Sequence, residues 1–206
     1  MTLTFYTNPM SRGRIARWML EEVGQPYETV LLDFATTAKA PEFLAINPMG
    51  KVPTIVHDGR VVTECAAICA YLADTFPDAG LAPAADERAD YYRWMFFAAG
   101  PVEAAVTNRS LGVEVAPDQR GMVGYADYDT TIDTLEQAVA AHDYIAGDRF
   151  TAADVYVGSH VAWGLMFGSI PKRDAFDAYL ARVLSRPAAV RAHEIDEALV
   201  PKPDTE

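Results

Sequence analysis

Two side chains that can bind or react stand together at the predicted start of a helix. Glu64 and Cys65 open the apolar segment 64–76, and a predicted hairpin at 54–63 ends immediately before them. The free N–H groups and the dipole at a helix start favour an anion, while a carboxylate beside them can hold a cation. The segment therefore indicates a site for a small ligand that carries both charges. Glu64 could instead serve only as an acidic first-turn residue that stabilises the helix.

The cysteines and histidines do not form a metal site. Cys65 and Cys69 are four residues apart, so they share one face of the helix, and their C-x-x-x-C spacing differs from the redox motif C-x-x-C. The four histidines lack the spacing of metal ligands: they are His57, His142, His160 and His193. We predict no metal, and we interpret Cys69 as a small core residue.

The composition excludes several classes of protein. A formal net charge of −12 opposes general nucleic-acid binding, which needs a basic surface. No apolar run approaches the roughly 20 residues of a membrane span, and the N-terminus lacks the basic and apolar regions of a signal peptide. Two cysteines suit a reducing compartment. We therefore expect a cytoplasmic protein that binds neither membranes nor nucleic acid.

The first part of the chain alternates strands and helices. Strands are predicted at 3–7 and 27–32 and in the Asp-Gly hairpin 54–63, and helices at 11–23, 41–46 and 64–76. Ser11 is the expected N-cap of the first helix. The order β-α-β-α-β-β-α implies a four-stranded mixed sheet, because a helical crossover joins parallel strands and a tight turn joins antiparallel ones.

The rest of the chain is predicted to be helical. The Pro/Ala/Gly-rich segment after the last α/β helix indicates a boundary, which gives a domain at 1–78, a linker at 79–87 and an all-helical domain at 88–206. A helix after the linker is expected to kink at Gly100-Pro101. Thr151 and Asp154 form a predicted capping box, flanked by the staple positions Phe150 and Val155, at the start of the buried helix. We interpret Asp154 as structural.

Several motifs occur in an order that resembles one family. "PEFLAINPMGKVPTIVHDG" looks like the second helix and the approach to the cis-proline of the glutathione transferases, and "FTAADVYV" resembles the start of their buried C-terminal helix. The resemblance covers nearly the whole chain and is to the cytosolic, bacterial-like type. It implies an α/β thioredoxin-like N-terminal domain followed by an all-α C-terminal domain.

The resemblance implies how glutathione would bind. If the bond between Val52 and Pro53 is cis, the Val52 backbone is left unpaired by the sheet and can pair with the cysteinyl backbone of the peptide. The Cys65 amide would take the γ-glutamyl carboxylate, and Glu64 would take the ammonium. In the family, basic or amide side chains near the positions of Lys39 and Lys51 hold the glycyl carboxylate, although here either lysine could be an ordinary surface residue.

The group that activates the thiol is less clearly marked. In the family, a hydroxyl or thiol near the start of the first helix donates a hydrogen bond to the thiolate and lowers its pKa. Ser11 stands in this region, but counting back from the end of the helix places the usual serine nearer Met10. Asn8, Tyr6 and Arg12 are therefore kept as alternatives to Ser11.

The resemblance implies a transferase that joins the glutathione thiolate to a small hydrophobic electrophile, in detoxification. The alternative is a non-catalytic glutathione-binding or protein-interaction module of the same fold. A thiol oxidoreductase would need a redox cysteine near the first helix, where the sequence has none. The aromatic run 91–97 exceeds what one helix face can bury, so it predicts a homodimer, which is also usual in the family.

Overall fold

The chain divides into two compact units. A computed structural model of the protein describes residues 2–201. The described parts of residues 1–79 and 186–206 form the first unit, and Gly80–Ser185 forms the second. The predicted domains, 1–78 and 88–206 with a linker at 79–87, stay a prediction, but these units place the last helix with the first part of the chain.

The first unit contains the predicted mixed sheet. Its strands are β1 (Leu3–Thr7), β2 (Glu28–Leu31), β3 (Thr54–His57) and β4 (Arg60–Thr63). They lie in the order β2-β1-β3-β4, with β1 parallel to β2 and antiparallel to β3. Asp58 and Gly59 join β3 to β4, and both have positive φ, at 46° and 78°. This backbone geometry is the one that a tight hairpin requires, and the predicted sheet is confirmed.

Four α-helices accompany this sheet in the described part of the first unit. They are α1 (Gly13–Val23), α2 (Pro41–Leu44), α3 (Cys65–Thr75) and α9 (Pro187–Leu199). Helix α1 is amphipathic, with Ile15, Met19 and Leu20 buried, and it ends at Gly24 with φ 69°. A glycine after the last turn adopts this left-handed conformation without steric cost.

Charged side chains link α1 to α9 along their lengths. The two helices run antiparallel and are joined by four ion pairs, the last of which involves the residue directly before α9: Arg14–Glu197 at 2.6 Å, Arg17–Asp196 at 3.1 Å, Glu21–Arg191 at 3.3 Å and Glu22–Arg186 at 2.7 Å. We call these four pairs the α1–α9 ladder. The ladder gives a physical reason why α9 belongs to the first unit.

The second unit is helical throughout its described elements. They are α4 (Arg88–Phe97), α5 (Glu103–Ser110), α6 (Tyr128–Ala141), α7 (Ala152–Met166) and α8 (Asp174–Leu184). A π-helical turn at Ala98–Val102 joins α4 to α5. It contains Pro101, whose missing N–H interrupts the α-helical ladder. The expected kink at Gly100-Pro101 is thus accommodated by a wider turn.

No helix among residues 2–201 has both the length and the apolar character that a membrane crossing requires.

The start of α7 is held by a buried aspartate. Asp154 accepts hydrogen bonds from the N–H groups of Ile145 and Thr151, at 2.8 and 2.9 Å, and from the Tyr179 hydroxyl at 3.0 Å. The Thr151 hydroxyl donates to the same carboxylate at 3.1 Å. Burial raises the pKa of Asp154, and these hydrogen bonds oppose that shift. Asp154 therefore connects α7 to α8 and to the segment before α7, as a structural residue.

Replacing Asp154 should destabilise the protein far more than replacing an aspartate at an exposed helix start. Asp154→Ala leaves several buried donors without an acceptor, so we expect a loss of about 3 kcal/mol or more in the free energy of unfolding. Asp127 caps α6 through the Thr130 N–H at 2.9 Å. Asp127→Ala should cost only about 1 kcal/mol. Denaturant titrations of both variants measure the difference, and equal costs would contradict the role of Asp154.

Candidate functional site

The loop between β1 and α1, residues 8–12, carries candidate activating groups, and we call it the activation loop. The Ser11 hydroxyl donates to the Asn8 carbonyl at 2.6 Å and accepts from the Gly13 N–H at 2.9 Å. The Asn8 amide donates to the Leu32 carbonyl at 2.8 Å, and its oxygen accepts from the Met10 N–H at 2.8 Å. The side chains of Ser11 and Asn8 thus hold the backbone of this turn in one conformation through hydrogen bonds.

The start of α1 differs from the sequence-based expectation. The helix begins at Gly13 rather than Ser11, and Arg12 is the residue at its cap, without a side-chain capping hydrogen bond. Ser11 nevertheless satisfies the first helical amide, that of Gly13, through its hydroxyl. A Cβ on Gly13 would collide with the Thr7 hydroxyl and lie 3.0 Å from the Ser11 oxygen. Gly13 therefore allows β1 and α1 to approach closely at this turn.

Tyr6 lies among apolar side chains near α2. It contacts a buried cluster formed by Leu32, Ala38 and Phe43, and its ring centroid is 5.5 Å from that of Phe43. The side chain is half-buried. These contacts give Tyr6 a packing role, and it stays an alternative candidate for the group that activates the thiol.

The segment before β3 is fixed by a buried asparagine. The peptide bond between Val52 and Pro53 is cis, and the β3 ladder begins only at Thr54. Asn47 is 4% exposed, and its amide donates to the Lys51 carbonyl at 2.9 Å and to the Thr54 hydroxyl at 3.0 Å. Sequence reasoning missed Asn47, although the turn-forming pair Asn-Pro was a signal for it. The backbone of Val52 stays a predicted partner of the peptide.

The two candidate lysines lie on either side of Gly50. Lys39 Nζ donates to the Gly50 carbonyl at 3.1 Å, and Lys51 follows Gly50 directly in the chain. Gly50 has φ 59°, and a Cβ there would lie 2.8 Å from the Ala38 carbonyl oxygen. Both lysine side chains are exposed, so they can reach an anion from this turn.

The start of α3 combines an unusual backbone with a link to α1. Glu64 is exposed and has φ 65° and ψ 120°, a backbone conformation that residues other than glycine rarely adopt. Its carbonyl accepts from the Ile68 N–H at 2.8 Å and so begins the helix. The thiol of Cys65 lies 3.5 Å from the Arg12 carbonyl and donates to it. Strain at an ordered position of this kind is characteristic of functional sites.

The structure brings two groups of predicted residues together and buries both cysteines. The contact between Cys65 and Arg12 places the activation loop beside the start of α3. Cys65 and Cys69 are both free and buried, and burial raises the pKa of the Cys69 thiol well above its ordinary value. A buried thiol with a raised pKa is a poor nucleophile. Among the described residues, no group of three or more His, Cys, Asp and Glu side chains could hold a metal ion.

Comparisons with known proteins agree with this arrangement. Residues 1–74 match the family described as "Glutathione S-transferase, N-terminal domain". The chain is 32% identical over 193 residues to glutathione S-transferase GST-4.5 of Xanthomonas campestris pv. campestris, with 89% of this chain and 93% of the relative covered. It is 26% identical over 186 residues to GstA of Escherichia coli O157:H7, with 87% and 89% covered.

Solved structures have the same fold over nearly the full chain. A glutathione transferase from Methylococcus capsulatus superposes with a TM-score of 0.78 at 27% identity and covers 96% of this chain and 100% of its own. A sphingomonad glutathione S-transferase in complex with glutathione has a TM-score of 0.76 at 27% identity, with 94% and 98% covered. The fold and the relatives define a transferase with a thioredoxin-like domain. The chain belongs to the glutathione S-transferase family, as the motifs predicted.

Two substitutions at Glu64 should separate backbone strain from ligand binding. Glu64→Gly removes the strained side chain, so we expect a gain of about 1 kcal/mol in the free energy of unfolding. Glu64→Ala keeps the strain and should leave this quantity nearly unchanged. Both remove the carboxylate and should weaken glutathione binding equally, because the ammonium loses its countercharge. Calorimetric titration and denaturation measure the two effects, and unaltered affinity in either variant would exclude Glu64 from the site.

Proposed function

We propose that the protein conjugates the thiolate of glutathione to a small hydrophobic electrophile. One observation carries the proposal: the Cys65 thiol meets the Arg12 carbonyl at 3.5 Å, so the activation loop and the predicted γ-glutamyl site adjoin. A single tripeptide is long enough to reach both. The relatives named above support glutathione as the cosubstrate, since one of them is a structure in complex with it.

The proposed binding mode assigns each charged end of glutathione to a separate group. The Cys65 N–H, at the start of the 11-residue helix α3, would donate a hydrogen bond to the γ-glutamyl carboxylate, and the exposed carboxylate of Glu64 would hold the ammonium. The Val52 backbone would pair with the cysteinyl residue. Lys39 and Lys51 would neutralise the glycyl carboxylate from the turn around Gly50.

The thiol would be activated by a hydrogen bond to its sulfur. A donor near the sulfur stabilises the thiolate, lowers the pKa of the thiol and so raises the population of the nucleophile. Ser11 is the first candidate, but its proton is directed at the Asn8 carbonyl at 2.6 Å and must rotate away from it to reach the sulfur. Asn8 uses one of its two amide N–H groups for Leu32 and retains a second. The thiolate then forms the sulfur–carbon bond as the leaving group departs or an activated double bond takes up the electrons.

Turnover tests the function, and two variants identify the donor. We expect glutathione-dependent conversion of a general electrophile by the wild-type protein. Ser11→Ala should lower kcat by about 10²–10³-fold, raise the pKa of bound glutathione and leave its affinity nearly intact. If Ser11→Ala has normal kcat and Asn8→Ala does not, Asn8 is the donor. Tight binding of glutathione without any turnover would favour the alternative, a non-catalytic binding module.

We also propose that the protein acts as a cytoplasmic homodimer in detoxification. Tyr91 and Met95 are buried within the second unit, which leaves Tyr92 and Phe96 as the exposed apolar side chains of the run 91–97. These two rings lie 6.3 Å apart on one face of α4 and are 40% and 65% exposed. An exposed aromatic pair of this kind favours association with another chain.

A charge at Phe96 should dissociate the proposed dimer. Phe96→Glu places a carboxylate in the apolar contact, so sedimentation should show a dimer for the wild-type protein and a monomer for the variant. Phe167, which is 72% exposed elsewhere in the second unit, provides the control. Phe167→Glu should remain dimeric. A wild-type monomer at micromolar concentration, or dissociation of both variants alike, would contradict this interface.

A further inference from the structure

Arg14 links the C-terminal helix α9 to the activation loop. Arg14 lies in the first turn of α1, and its Nε donates to the Pro9 carbonyl at 2.5 Å. A terminal nitrogen of the same guanidinium donates to the Glu197 carboxylate on α9 at 2.6 Å. Because the guanidinium is planar and rigid, its two ends are fixed relative to each other. One guanidinium thereby joins a carboxylate on α9 to the Pro9 carbonyl.

The Pro9 carbonyl lies between the two candidate donors. Asn8 precedes Pro9, and the Met10 N–H, on the far side of the same peptide group, donates to the Asn8 side chain at 2.8 Å. Ser11 follows and donates to the Asn8 carbonyl. Since a peptide group is planar, fixing its carbonyl also fixes its N–H. The contact with Arg14 therefore orients the peptide on which the turn from Asn8 to Ser11 depends.

The pair of Arg14 and Glu197 is better suited to positioning than to stabilising the fold. Their side chains are 23% and 51% exposed, and exposed ion pairs contribute little to the free energy of unfolding. The hydrogen bond from Arg14 lowers the pKa of Glu197, so the carboxylate is charged at neutral pH. It can therefore hold the guanidinium in one orientation by a charge-assisted hydrogen bond.

The α1–α9 ladder contains a matched pair that does not reach the loop. Arg191 on α9 binds Glu21 on α1 at 3.3 Å, and its side chain is 51% exposed, the same fraction as that of Glu197. Arg191 also donates to the Glu21 carbonyl at 3.2 Å. Both pairs join the same two helices, but only the pair of Arg14 and Glu197 contacts a residue between Asn8 and Ser11.

We propose that Arg14 and Glu197 are positioning residues for thiol activation, which hold the loop from Asn8 to Ser11 in the geometry that stabilises the glutathione thiolate. The inference rests on the proposed function. Helix α9 then takes part in catalysis through the backbone of the loop, without contact with the substrate. The sequence motifs assign thiol activation only to the first part of the chain, and this proposal gives the C-terminal helix a part in it.

The test compares Glu197→Ala with Arg191→Ala in the full-length protein. Glu197→Ala should raise the pKa of the thiol of bound glutathione, which is measured through the ultraviolet absorbance of the thiolate. It should also lower kcat by up to about 10²-fold, because small displacements at a reacting centre have effects of this size. Glutathione affinity should stay unchanged. Glu197→Gln keeps an acceptor for Arg14 and should be intermediate. Arg191→Ala should match the wild-type protein in thiol pKa and kcat, and the melting temperatures of the two alanine variants should be alike.

Amide hydrogen exchange provides a readout that does not depend on activity. The N–H groups of Met10 and Gly13 are hydrogen-bonded within the loop. They should exchange faster in Glu197→Ala than in Arg191→Ala, with or without glutathione. Identical thiol pKa, kcat and exchange rates in the two variants would overturn the inference. A wild-type protein that binds glutathione only as the thiol would overturn the proposed function, whereas the exchange rates would still decide whether Glu197 orders the loop.

Discussion

One buried cation holds the first unit together. Arg17 is 1% exposed, and its guanidinium pairs with Asp196 on α9 at 3.1 Å and donates to Tyr27 and Thr29 at 3.0 and 2.9 Å. It also lies over the ring of Phe5 on β1, 5.0 Å from the centroid. A buried charge that loses its partner costs about 3–5 kcal/mol. Strands β1 and β2 and helices α1 and α9 must therefore keep their mutual arrangement for Arg17 to remain paired.

The candidate site takes its geometry from this arrangement. Once Arg17 fixes α1 against the sheet, the loop from Asn8 to Arg12 must join the end of β1 to the start of α1 over a very short distance. Gly13 makes this possible because the Thr7 hydroxyl occupies the space of its missing Cβ. The side chains of Asn8 and Ser11 then satisfy the amides of Met10 and Gly13. A site supported by rigid elements on both sides can hold a donor in a productive position.

Two parts of the proposed ligand site are backbone groups. Cys65 directs its thiol to the Arg12 carbonyl, so its N–H rather than its side chain is the natural partner for a carboxylate. Val52 likewise offers main-chain atoms, which Asn47 holds in place through Lys51 and Thr54. Backbone groups fixed by the fold lose little conformational entropy on binding. At these two positions the site depends on the structure around it more than on the identity of the side chain.

The sequence by itself determined the elements whose signals are local. The Asp58-Gly59 turn, the apolar periodicity of α1 and the polar start of α7 at Thr151 each involve residues only a few positions apart, so the sheet, the helices and the family could be predicted. The position of Glu64 and Cys65 at the start of α3 was predicted for the same reason.

Only the tertiary structure decided the features that join distant residues. Arg17 appears as one more charge on an amphipathic helix until Asp196, 179 positions away, comes beside it. The place of α9 in the first unit and the path from Glu197 through Arg14 to Pro9 are likewise invisible in sequence. The free energy of such pairs depends on burial and on partners that folding alone brings within a few ångströms, and neither quantity is encoded in the spacing of neighbouring residues.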